Sequence, residues 1–83
     1  MRKQLLEWGK RCVRREFCTS VHRRWRCVTN PRLAVEEIRS TLEDHRRAVL
    51  ILIRDRGEVI LSRHRLVSGA KRAAEELTRE GKV

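Results

Sequence analysis

Apolar positions in residues 2–18 fall at Leu5, Leu6, Trp8, Cys12, Val13 and Phe17, near one face at helical spacing, with bases on the other. That pattern predicts an amphipathic helix, weakened at Gly9. Residues 19–30 show no clean period, and Thr29-Asn30-Pro31 is a turn or helix-entry signal. Over residues 32–47, Ala34, Val35, Ile38 and Leu42 form one stripe. Glu36 and Glu37 stand in its first turn and Arg46 and Arg47 in its last, an order that suits a helix dipole and predicts a second helix.

The period then changes. Ala48 to Ile53 is a continuous apolar run rich in branched residues, which predicts a strand buried on both faces. Arg54-Asp55-Arg56-Gly57 predicts a tight turn with Gly57 at positive φ, and Glu58 to Ser62 completes a hairpin. Leu66, Ala70, Ala73, Ala74 and Leu77 mark a final helix that Gly81 caps. The expected fold is therefore α+β: a small single domain over 1–83 made of an amphipathic helix, a second helix, a β-hairpin and a C-terminal helix. Residues 1–30 are its basic front and 31–83 its scaffold.

Charge changes this picture from a generic domain to a polyanion binder. The chain has 21 Lys and Arg, 17 of them Arg, against 11 Asp and Glu, for a net charge of +10 on 83 residues. Seven of those ten net charges lie in residues 1–30, with nine bases and two acids. The apolar runs are far shorter than the ~20 residues of a membrane span, and no secretory pattern follows the early bases, so an intracellular location, cytoplasm or nucleoid, is expected. Each guanidinium that meets a phosphate releases condensed counterions, so such a front supplies salt-sensitive affinity for nucleic acid. In His22-Arg23-Arg24-Trp25-Arg26 an indole stands among guanidiniums, which suits stacking on an unpaired base, although a core position for Trp25 is the commoner fate. The expected contact residues are Arg11, Arg14, Arg15, Arg23, Arg24, Trp25, Arg26, Arg54, Arg56, Arg63 and Arg65.

Other chemistry is sparse. Cys12, Cys18, His22 and Cys27 give the spacing C-x5-C-x3-H-x4-C, four competent zinc ligands that match no common finger; no cofactor is expected, with zinc at these four as the alternative. There is no paired-carboxylate, phosphate-loop or HExxH signature. His64 beside Glu58 is the one acid–base pair that can be imagined, and no catalytic residue is assigned. A small-residue stripe at Ala70, Ala73 and Ala74, with the free edge of the hairpin, suggests a homodimer.

Short motifs carry two resemblances. Val28-Thr29-Asn30-Pro31-Arg32, then Val35-Glu36-Glu37-Ile38-Arg39, Gly57-Glu58-Val59-Ile60 and Ser62-Arg63-His64-Arg65-Leu66-Val67-Ser68-Gly69 follow one another in order. In that order they resemble the ParB/sulfiredoxin-like domain, with Ser62 where that family has glycine. The resemblance implies nucleotide-phosphate contacts at the last of these stretches and, as an alternative function, nucleotide hydrolysis. The predicted helix-helix-hairpin-helix order is also similar to winged-helix DNA-binding domains, which implies that Arg54-Asp55-Arg56-Gly57 is a wing reaching phosphates. The expected function is nucleic-acid binding, DNA before RNA, with an RNA- or ribosome-associated protein as the runner-up.

Overall fold

The structure, a computed structural model, describes residues 5–16, 20–40 and 46–83. Five strands follow one another: β1 (Cys12–Glu16), β2 (Ser20–Arg26), β3 (Leu33–Ser40), β4 (Arg46–Arg54) and β5 (Gly57–His64). Helix α1 (Val67–Arg79) follows the last strand. The strands form one antiparallel sheet in the order β1-β2-β3-β4-β5, each paired with its sequence neighbour. The molecule measures 38 × 34 × 21 Å, and its short dimension holds two layers, the sheet and the helix on one side of it.

The chemistry of one turn explains the β2–β3 hairpin. Asn30 accepts from the Arg32 amide through Oδ1 at 3.2 Å and from the Leu33 amide through its carbonyl at 2.9 Å, reversing the chain. Beyond it, the bases of β2 meet the acids of β3: Arg23 lies opposite Glu37 and Arg24 opposite Glu36. Opposite charges directly across an antiparallel pair favour this register. The second hairpin closes on Asp55-Arg56, with Arg54 opposite Gly57, whose φ of 136° favours glycine.

Alternation along the strands divides the side chains between two faces. Leu33 and Val35 of β3 and Ala48 and Leu50 of β4 face the helix and pack with Ala70 and Ala74 of α1, together with Leu6 and Cys27. Residues before β1 join this core as an extended segment. The Leu5 and Leu6 amides donate to the Glu75 carboxylate at 3.1 and 2.8 Å, and the Gly9 and Val28 amides donate to the Arg26 and Glu7 carbonyls. Trp8 and Trp25 lie partly buried on the same side, and the Lys71 ammonium sits 5.7 and 5.3 Å from their ring centroids.

The balanced α+β fold with two helices before the hairpin is overturned: the described residues are mostly sheet, with one helix after the last strand. The expected first helix is an extended segment followed by β1; Phe17 and Cys18 lie outside the described residues. The expected second helix is β3 and the start of β4, with Leu42 outside the described residues. Ala34, Val35 and Ile38 match a helical stripe by coincidence. In the strand Val35 faces the helix, while Ala34 and Ile38 face away, because pairing on both sides of β3 outweighs a weak local preference. The hairpin, the final helix and its termination at Glu80-Gly81, where Gly81 has φ of 70°, agree with the sequence reading. Ala70 and Ala74 are fully buried against the sheet, so the small-residue stripe is spent within the domain.

Candidate nucleic-acid interface

No described element packs on the sheet face opposite α1. Its residues follow from the register. Arg26, Ala34, Ile51 and Ile60 form one row across the strands; Cys12, Arg24, Glu36, Val49 and Arg63 form the next; His22, Ile38 and Arg47 form a third. The result is a broad surface with an aliphatic middle and arginines on β2, β4 and β5.

Its electrostatics centre on Arg24. This guanidinium donates to Glu58 on β5, and its Nη1 lies 3.5 Å from Glu36 Oε2. Glu36 is also 3.0 Å from His22 Nδ1. Since β3 and β4 lie between β2 and β5, the Arg24–Glu58 pair spans about 14 Å of sheet, three strand spacings. The row of Ala34 and Ile51 lies beneath that span. Those residues are 0% and 5% exposed although no described element packs over them. Arg26 donates from Nε to the Pro31 carbonyl at 3.1 Å. Among the described residues no carboxylate pairs with Arg26, Arg47 or Arg63, so their charges are uncommitted.

The hydrogen bond from Arg24 is the main reason that the Glu58 carboxyl is held below its usual range, and the same bond raises Arg24 above the usual guanidinium value. A carboxyl with a depressed folded-state pKa stabilises the fold above its ordinary value of about 4.5, and that contribution is lost as the pH falls through the folded value. Both side chains are about a third or more exposed, so screening keeps the effect below about 1 kcal/mol. Glu58→Gln is therefore expected to lower the melting temperature by at most about 8 °C at pH 7. The difference from wild type should shrink towards pH 3, read in paired thermal melts.

Strand alternation splits the cluster that looked continuous in sequence. His22, Arg24 and Arg26 belong to the open face, whereas Arg23 and Trp25 belong to the helix side. Arg23 donates from Nη1 to Glu37 at 2.9 Å and holds a buried carboxylate, and Trp25 packs on the core beneath Lys71. Arg63 is on the open face, and Arg11 is exposed just ahead of β1. Arg14 and Arg15 stand in β1 opposite His22 and Val21. Arg54 and Arg56 are exposed at the β4–β5 turn, and Arg65 lies between β5 and α1, outside the face. The sequence reading missed Arg47, placed at a helix end, and the carboxylates Glu36 and Glu58; period-two alternation was the signal for all three.

The described members of the proposed zinc set do not come together. Cys12 is exposed on the open face with His22, Cys27 is buried on the helix side, and Cys18 lies outside the described residues. Among the described residues no group of three His, Cys, Asp or Glu side chains converges for a metal, and no helix is long and apolar enough to cross a membrane. The helix that a winged-helix domain sets before its wing is strand β3 in this chain, and the Val35-Glu36-Glu37-Ile38-Arg39 stretch lies in that strand. Comparison with protein-family models, curated proteins and solved structures finds no match.

Proposed function

We propose that this protein binds nucleic acid through the open face of its sheet, by arginine–phosphate contacts. The supporting observation is the set of arginines that the register gathers on that face. The open face carries Arg24, Arg26, Arg47 and Arg63 against Glu36 and Glu58, and both carboxylates are already engaged. On α1 and its C-cap the charges balance, Lys71, Arg72 and Arg79 against Glu75, Glu76 and Glu80, while the register also puts Arg39 and Arg46 on the helix side of the sheet. The net charge of +10 attracts a polyanion to the chain as a whole, and on the open face Arg26, Arg47 and Arg63 have no carboxylate partner among the described residues. Arginine suits the task because its planar fork meets two phosphate oxygens at once and stays charged at any working pH.

Three uncommitted arginines, each neutralising one phosphate on a duplex, give a log–log salt slope of about −3, and steeper if Arg24 leaves its carboxylates. Titration of a labelled duplex across a salt series measures that slope. An affinity that does not change with salt would reject phosphate contact. Because Glu58 competes with phosphate for Arg24, Glu58→Gln is expected to bind roughly three times more tightly at low salt. Weaker binding by that variant would mean that the carboxylate assists rather than competes.

A further inference from the structure

The shape of the open face narrows the ligand. We infer that it receives an A-form RNA duplex across the minor groove; this rests on the nucleic-acid reading above. Five strands at antiparallel spacing make a surface about 19 Å wide. The B-DNA major groove is about 12 Å wide and about 8.5 Å deep, so it admits a helix or a two-stranded ribbon but not this sheet. The β4–β5 hairpin does not act as a free ribbon either. The Ile53 amide donates to the Arg32 carbonyl at 2.7 Å, so the neighbouring turn flanks the hairpin almost to its tip.

Single strands are disfavoured on other grounds. Sequence-tolerant binding of unpaired bases relies on aromatic platforms. Among the described residues the open face has none, since Trp8 and Trp25 are both on the helix side with Lys71 over their rings. Its middle is aliphatic, from Ile38 and Val49 to Ile60, which is 49% exposed.

The A-form minor groove has the complementary layout. It is wide and shallow, so a broad face can lie on it without entering, and it presents 2′-hydroxyls between two phosphate rails. Arg26 on β2 and Arg63 on β5 belong to strands three spacings, about 14 Å, apart, placed to meet opposite rails. Glu36 stands between them on β3, where a phosphate would be repelled but a 2′-hydroxyl can donate to a carboxylate oxygen. The contacts go to phosphate, sugar and shape, so recognition is of helical form rather than base sequence.

The test is a set of titrations of the full chain at one salt concentration with four equal-length probes: an RNA duplex, a DNA duplex of the same sequence, and each single strand. About tenfold tighter binding to the RNA duplex than to any other probe is expected. If the DNA duplex or a single strand binds as tightly as the RNA duplex, the A-form inference is overturned while the phosphate-contact reading stands. If none of the four binds even at low salt, the functional reading falls as well. A second RNA duplex of unrelated sequence should bind within about twofold of the first, and a tenfold difference would overturn recognition by form.

Discussion

Changing Arg26, Arg47 and Arg63 together to alanine is expected to lower nucleic-acid affinity about a hundredfold at moderate salt and to cut the salt slope by about three. These side chains are singled out because no described carboxylate offsets their charge, so their whole attraction is available to a ligand. Arg47 and Arg63 have no part in the core, and the fold should survive. The matched control is Arg72→Ala with Arg79→Ala, which removes two positive charges from α1 on the other side of the molecule. If net charge alone set the affinity, this control would lose roughly two-thirds as much binding energy as the triple variant. The face-specific account expects a loss under about threefold, from the long-range field alone. Circular dichroism of each variant checks that the sheet is intact.

A larger effect on stability is expected from Arg23. Glu37 is 9% exposed and faces the helix side of β3, with Arg23 donating to it from the adjacent strand. Removing the guanidinium leaves a carboxylate in the interior without its counter-charge. Buried pairs broken in this way lose 3–5 kcal/mol; Arg23 is partly exposed, so about 3 kcal/mol is expected for Arg23→Ala. In a domain of this size that amounts to more than about 10 °C in melting temperature. The pair as a whole is not a large source of stability, because both ions were desolvated to form it. Arg23→Leu combined with Glu37→Leu should recover most of the loss, since Val35 on the same strand and Ala48 directly opposite give the site apolar neighbours. A double variant as unstable as Arg23→Ala would show that the pair specifies the β2–β3 register rather than merely balancing charge.

Arg23 also shows why the first half of the chain was hard to read. Local chemistry announces the β4–β5 hairpin: a branched apolar run, a two-residue turn and a glycine at positive φ. The last helix is similarly announced by its alanines and a terminal glycine. In contrast, β2 has bases on both faces. Arg23 points to the core side because Glu37 waits there, and Arg24 points outward to Glu36 and Glu58. No hydrophobic period survives in such a strand, and only its partner makes sense of it. The signal was nonetheless present: with Asn30-Pro31 taken as a turn, folding the chain back about residue 30 sets Arg23 and Arg24 against Glu37 and Glu36.

The candidate site was legible to the same extent. A concentration of positive charge ahead of residue 30 located Arg24 and Arg26, but not which neighbours shared their face. Trp25, attractive as a stacking ring in sequence, alternates to the opposite side and becomes core. Arg47 entered the face only once β4 was known to start at Arg46.

The most direct measurement of the central claim is a map of backbone-amide chemical shifts during titration with a short RNA duplex. The account predicts that the largest changes follow the open-face positions, Arg24 and Arg26 in β2, Ile38 in β3, Arg47 and Val49 in β4 and Arg63 in β5. The outer side of α1, from Arg72 to Arg79, should stay almost unmoved. Changes concentrated on α1, with the β2–β5 face silent, would contradict it.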